Sequence, residues 1–302
     1  MSIATEISRI KNNIASAYTA CGNQGATMPT SQNSANLANC IGSISGSGTY
    51  PVGIPRGVDS NGVYGYPTTN FSFTIPSNAT SLKSGVFKEI FKDCTTITSV
   101  DLSSLTELTG TDTLKGFCEN CSSLTSMDLS NVVTINGSGI MDTAFYGTSI
   151  TAVDLSSLTT ITGTVMTNTF RDCPYISSID LSSLTTLSTG VSLNGTFSLS
   201  TNPTSPLPLT SVTFTSLATV GGTAPMRNLF QRRDGLTVNF PAFNSNTFGA
   251  MTTYLDNIVA NAVGCTVHFP SNMQAIIGNW SSVQTGFGGT NTTVLWDLPA
   301  TN

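Results

Sequence analysis

Four stretches of this chain are near copies of one another: SVDLSSLTELTG at 99–110, SMDLSNVVTING at 126–137, AVDLSSLTTITG at 152–163 and SIDLSSLTTLST at 178–189. Their aspartates, Asp101, Asp128, Asp154 and Asp180, stand 27, 26 and 26 residues apart. A fixed period in the twenties, with one short strand per copy, marks a repeat solenoid: no copy buries its apolar face alone, so neighbours must stack. Around each aspartate, apolar and polar side chains alternate, as Val100 and Leu102 do with Ser99, Asp101 and Ser103. Such alternation gives a strand one wet face and one buried face. Stacked copies therefore predict one continuous parallel β-sheet, with Val100, Met127, Val153 and Ile179 inside and the aspartates outside. Leu105, Leu108, Leu114 and Phe117 are expected to fill the interior behind it.

The register extends both ways. Phe71 and Phe73 look like a first strand, and Val212 and Phe214 resume the pattern after a Pro- and Ser-rich loop at 198–208. Val238 and Phe240, Val267 and Phe269, and Val294 and Trp296 continue it, for about nine rungs between 71 and 297. Phe248, Met251, Leu255, Ile258, Val259 and Ala262 recur at helical spacing with Gly264 as a stop. Met273, Ile276, Ile277 and Trp280 repeat this after Pro270, so two strand–helix units are expected to cap the C-terminal end. The predicted organisation is a small α-helical module at 1–46, a linker at 47–70, the solenoid at 71–243 and the capping region at 244–302.

The columns carry a family resemblance. The pattern Phe-x-x-Cys-x-x-Ile-x-x-(Val or Ile)-Asp-Leu, at Phe91–Leu102 and Phe170–Leu181, resembles the BspA-like leucine-rich repeat. The likeness covers roughly 71–243 and departs from the pattern at Phe145–Val153, where the Cys column is lost at Gly147, and again after residue 190. It implies a leucine-rich repeat solenoid that faces a ligand, commonly in adhesins, and it transfers no catalytic set.

Composition bounds the function. Only 9% of residues are charged while 39% are hydrophobic, which argues against disorder. Net charge is −5 and cations are scattered, with one cluster at Arg227, Arg232 and Arg233, so no basic stripe for nucleic acid is present. No apolar run reaches membrane-spanning length, so no membrane insertion is expected. No secretory signal is read at the start. Seven cysteines, at 21, 40, 94, 118, 121, 173 and 265, are expected as buried free thiols in a chain made in the cytoplasm. Cys118-x-x-Cys121 lacks a second pair for zinc, so neither metal nor other cofactor is expected.

Residues 1–46 follow a different rule. Ile3, Ile7, Ile10, Ile14 and Ala17 are spaced 4, 3, 4 and 3, a heptad seam that serves either a helical hairpin packed on itself or a homo-oligomer. MSIATEISRIKNNI followed by GATMPTSQNSANLANCIGSI resembles the opening module of phage tail and minor structural proteins, and the run 265–299 resembles the ending of gut-phage leucine-rich repeat proteins. The resemblance implies a virion location, with the N-terminal module contacting other virion or tail proteins.

Chemistry is sparse. The single histidine, His268, assembles no triad, and no phosphate-binding loop is present. Ionised aspartates on neighbouring strands, ~4.8 Å apart, would repel by about 3 kcal/mol at an effective dielectric of 20. They must be solvated, fanned apart or locally bonded; Asp-Leu-Ser-Ser offers a bond to a group two residues on. A cation or ligand site is the second reading of the column, and catalysis the third. The exposed central column runs Ser72, Asp101, Asp128, Asp154, Asp180, Thr213, Asn239, His268, Leu295, and its stretch from Asp101 to His268 is the candidate ligand face. A protein receptor would meet the rung-edge loops at Tyr146, Tyr175, the 198–208 segment, Arg227, Arg232 and Arg233. No residue is assigned a catalytic role. The expected function is a phage tail or virion protein for host attachment through a surface protein or glycan; the alternatives are a bacterial surface adhesin and, behind it, a glycan-acting enzyme.

Overall fold

The computed structural model describes Ala15 and residues 57–58, 64–65, 70–75, 77–82, 84–188, 193–203, 206–221, 224–244, 255–275 and 287–301. The chain forms two compact units, Met1–Gly53 and Ile54–Asn302. The predicted seam residues Ile3, Ile7, Ile10 and Ile14 lie outside the described residues, as do Cys21 and Cys40.

Among the described residues, the second unit is a parallel β-solenoid of about seven turns with almost no helix. Its strands in chain order are β1 (Gly57–Val58), β2 (Tyr64–Gly65), β3 (Phe71–Thr74), β4 (Ile97–Asp101), β5 (Glu107–Thr111), β6 (Ser126–Asp128), β7 (Thr134–Ser138) and β8 (Ala152–Asp154). There follow β9 (Thr160–Thr164), β10 (Ser178–Asp180), β11 (Thr186–Ser188), β12 (Ser211–Thr213), β13 (Thr219–Val220), β14 (Thr237–Asn239), β15 (Thr266–Pro270) and β16 (Thr293–Leu298). Apart from the antiparallel pair β1–β2, pairing is parallel, with register shifts in β3–β4 and β15–β16: Val100 faces Met127, and Val153 faces Ile179. The expected single sheet is divided. Hydrogen bonding groups these strands as β3-β4-β6, β8-β10 and β12-β14-β15-β16.

A second sheet was not expected. Strands β5, β7, β9, β11 and β13 form five hydrogen-bonded parallel rows. After each aspartate the chain closes a tight turn, with the Leu105 N–H bonded to the Leu102 carbonyl at 3.0 Å and the Leu158 N–H to that of Leu155 at 3.0 Å. It then re-extends through Thr-Ile-Thr-Gly or Glu-Leu-Thr-Gly, in which Thr and Ile favour strands. Leu108, Ile135, Ile161 and Leu187 point inward from this sheet and are fully buried. At Gly163, φ is +95° and a Cβ would run into the carbonyl oxygen of Gly137 on the neighbouring strand, so only glycine fits.

The third side of each rung is a wall of turns. Every second N–H reaches the next rung: Leu114 to Ile140, Gly116 to Asp142, Cys118 to Ala144 and Asn120 to Tyr146, at 2.7–2.9 Å. The intervening N–H groups close four-residue turns, as from Phe117 to Leu114 and Cys121 to Cys118. This backbone needs positive φ at every fourth residue, met by Asp112, Gly116 and Asn120 in one rung. Asx and Gly predominate there because they tolerate that region best.

The wall also sets an apolar frame with steps of 3, 1 and 3. It reads Phe87-Ile90-Phe91-Cys94, Leu114-Phe117-Cys118-Cys121, Met141-Ala144-Phe145-Thr148, Met166-Thr169-Phe170-Cys173 and Met226-Leu229-Phe230-Arg233. Leu255, Ile258, Val259 and Ala262 keep the same steps, and all four are buried. The predicted helix here is corrected: 255–261 is turn backbone, with positive φ at Asn257 and Asn261. A wall of four-residue turns and a helix place apolar residues at the same spacing. Phe248 and Met251 lie outside the described residues; so do Ile276, Ile277 and Trp280, while Ser271–Met273 is a single 3-10 turn.

The core is a pair of aromatic spines. Phe145, Phe170, Phe197 and Phe230 stack with centroids 5.4, 5.5 and 5.9 Å apart. Phe214, Phe240, Phe269 and Trp296 stack at 5.0, 5.5 and 5.2 Å. Each stacked pair contributes about 0.5–1.5 kcal/mol beyond its buried area.

Candidate functional site

The carboxylate column keeps its predicted order but not its start. Asp101 faces Asp128, and Asp154 faces Asp180. Thr74, not Ser72, stands opposite Asp101, because Phe73 rather than Phe71 aligns with Val100. Ser72 pairs instead with Ser99, whose Oγ donates to Ser72 Oγ at 2.6 Å.

Each carboxylate is bonded within its own rung. Asp101 Oδ1 accepts the Ser103 N–H at 3.0 Å and its hydroxyl at 2.6 Å; Asp128 Oδ1 accepts those of Ser130 at 2.9 and 2.7 Å. Asp154 and Asp180 accept the N–H groups of Ser156 and Ser182 at 3.0 and 2.9 Å. These Asx turns brace the corner between the two sheets. The Ser103 hydroxyl, and then its N–H, hold the Asp101 carboxyl below its usual range.

Further along, the column bonds between rungs. Asn239 Nδ2 donates to Thr213 Oγ1 at 3.0 Å. His268 Nδ1 lies 2.7 Å from Asp297 Oδ1, joining β15 to β16, with Leu295 opposite His268 in the register.

The loop edge differs from its sequence reading. Arg233 is fully buried, so it offers no receptor contact. It occupies the last place of the apolar frame, where Cys121 and Cys173 stand in other rungs. Those thiols donate to the carbonyls of Phe91 and Phe145, one rung back, at 2.9 and 3.1 Å. Arg233 Nε does the same for Phe197 at 2.8 Å, and Nη2 reaches on to the Cys173 carbonyl at 2.9 Å. Its Nη1 has no partner, and burial lowers its pKa to about 10. The frame was the signal that would have placed Arg233 inside. In the rung said to lose its Cys at Gly147, the place belongs to Thr148, whose Oγ1 donates to Phe145 at 3.0 Å.

The other cations here are also engaged. Arg227 Nε lies 3.2 Å from Asp256 Oδ2, and Arg232 Nη1 donates to the Leu199 carbonyl at 3.3 Å. Arg171 Nε and Nη2 donate to Ser200 Oγ at 3.3 and 3.2 Å, and Asp172 accepts both the N–H and the hydroxyl of Ser200. Tyr146 is half-buried; its bond to Asp172, then burial, pushes its phenol up. Tyr175 is 60% exposed. Together these bonds clamp the point where the 198–208 segment leaves the solenoid. Beside it lies a groove of about 440 Å³ lined by Pro203, Pro206, Leu207, Leu209, Thr210, Asp234 and Gly235.

Charge is segregated by face. Among the described residues, every lysine and arginine that meets solvent stands on the turn wall: Lys88, Lys92, Lys115, Arg171, Arg227 and Arg232. Lys88 pairs with Asp112 at 2.9 Å and Lys92 with Glu119 at 3.0 Å. The first sheet carries carboxylates alone among its charged groups. Cys94, Cys118, Cys121, Cys173 and Cys265 are buried and free, and burial pushes the Cys118 and Cys173 thiols up. Among the described residues no three His, Cys, Asp or Glu side chains converge as metal ligands. No protein-family description, curated protein or solved structure matches the chain.

Proposed function

We propose that this chain is a non-enzymatic structural protein of a phage tail or virion, whose leucine-rich repeat solenoid presents a surface for host attachment or receptor binding. One observation carries the binding half of this reading. The four aspartates share one local role, each with Oδ1 accepting the N–H of the serine two residues on. Acid–base catalysis needs carboxylates whose environments differ; a repeated brace needs them alike. The virion half rests on the resemblance of the opening and closing segments. In this reading the N-terminal module holds other virion or tail proteins, and the solenoid meets a host-surface protein or glycan. The test is to purify particles and locate the chain by mass spectrometry and immunolabelling. Its presence in the tail is the expected result. Recovery in the bacterial envelope alone would make it a surface adhesin, and turnover of a host polysaccharide that vanishes when Asp101, Asp128, Asp154 and Asp180 become Asn would make it an enzyme.

A further inference from the structure

We propose that the end rung of the solenoid pairs with the same rung of a second copy of this chain, edge to edge and antiparallel through β16. The pairing is independent of the attachment reading. β16 is the last strand of its sheet among the described residues. Its Thr293 N–H turns to β15 and reaches the Cys265 carbonyl at 2.8 Å. By alternation, the N–H groups of Val294 and Leu298 turn to the open edge. A strand edge of this kind is a template for another strand. The same rung is the one whose inward column is not closed. Val212, Val238 and Val267 are buried, and so are Phe214, Phe240 and Phe269. Val294 and Trp296, which follow them in register, are only half-buried, as is Leu298. On the outer face Leu295 is 39% exposed. Thr301, beyond β16, is tied back to earlier rungs. It exchanges two bonds with Asn272, at 2.6 and 3.2 Å, and its hydroxyl donates to the Phe243 carbonyl at 2.6 Å.

The strand fits its own copy in one register. Directly opposed side chains of an antiparallel pair share a face. Centred on Leu295, the pairing sets that residue on Leu295 of the second copy, and Val294 on Trp296 of the second copy. Thr293 then meets Asp297 of the second copy. The Oδ1 atom of Asp297 is held by His268 at 2.7 Å, and its other oxygen accepts the Thr293 hydroxyl. Sliding one strand by a single residue sets inward side chains against outward ones. Sliding it by two, in either direction, sets Leu295 against Asp297 or Thr293. Parallel stacking in register sets Asp297 on its own counterpart, where like charges repel. Apolar meets apolar and donor meets acceptor in the two-fold arrangement, which closes this contact at two copies.

The experiment is sedimentation equilibrium of the full chain and of two variants at the axis. Leu295→Lys opposes two ammonium groups there and should at least halve the mass; Leu295→Glu opposes two carboxylates and should do the same. An equal mixture of the two variants should recover the parental mass, because the charges then oppose as a pair. Circular dichroism should show both variants folded as the parent is. In the parent, amide exchange at Val294 and Leu298 should slow as protein concentration rises. Should either variant misfold, that measurement decides alone. A parent with the mass of one chain overturns the inference. So does Leu295→Lys with undiminished mass, which places the association elsewhere, as on the N-terminal seam. Failure of the mixture to recover, or exchange at Val294 and Leu298 that ignores concentration, also overturns it.

Discussion

The rungs before the 198–208 segment and those after it solve the same packing problem with different residues. Before it, the inward column next to the aspartates is leucine: Leu102, Leu129, Leu155 and Leu181, all buried. After it, that column becomes Phe214, Phe240, Phe269 and Trp296, stacked ring on ring. Before it, most rungs carry two strands; after it β13 is the last strand of the second sheet among the described residues. The outward column changes in step. Aspartates bond within their own rung, and Thr213, Asn239 and His268 bond across rungs. Like carboxylates repel and cannot bond one another, whereas Thr with Asn, or His with Asp, can. Large rings and cross-rung bonds thus hold the later rungs, where leucines and local bonds hold the earlier ones.

Arg233 is the joint between these halves, and its loss should have the largest effect. Arg233→Ala leaves two buried carbonyls without donors and should cost about 3–5 kcal/mol. Thermal unfolding by circular dichroism should then separate into two transitions, since neighbouring rungs are coupled only through their interface. A single transition would mean that the halves are not distinct. Arg233→Lys should recover little, because an ammonium lacks the fork that serves both carbonyls.

Next come the two inward columns. Phe240→Ala should cost about 3–5 kcal/mol and Leu155→Ala about 2–5. Chemical denaturation of both gives the comparison directly: a smaller loss at Phe240 than at Leu155 would show that the ring stack holds its rungs no better than the leucine column.

The outward columns should matter less. Asn239→Ala removes one cross-rung bond and should cost about 1 kcal/mol. Asp101→Asn should have the smallest effect, and one that depends on pH. The folded Asp101 carboxyl lies below its usual range, so its stabilisation is present above the unfolded value and is lost as pH falls through the folded one. The Tm of the wild type and of Asp101→Asn should therefore converge in acid, while Asn239→Ala keeps its deficit there. A gap for Asp101→Asn that persists in acid would mean the serine bonds do not favour the charged form.

The period, the inward residues and the local bonding of the aspartates were legible in the sequence because they recur at fixed intervals. The second sheet was not. Leu108 and Ile161 were read as interior filling, although Thr and Gly around them signal a strand that needs glycine for close approach. The wall was hidden for a different reason. Leu255, Ile258, Val259 and Ala262 fit a helix by spacing alone, and only comparison with Leu114, Phe117, Cys118 and Cys121 reveals the shared frame. Arg233 was assigned outward by its charge, when its place in that frame points inward. The groove at Asp234 depends on side-chain directions that no periodicity encodes.

The positive-φ positions of the wall have a consequence for how such a chain can change. Asp112 on one rung covers Gly139 on the next, and Asn168 covers Gly195: a Cβ at either glycine would strike the side chain stacked over it. Other wall positions stack two side chains instead, as Asn120 over Asp93, whose Oδ1 accepts the Asn120 Nδ2 at 2.9 Å. Exchange of a rung is therefore limited where Asp112 or Asn168 leans over a glycine, and is freer where Asx already meets Asx.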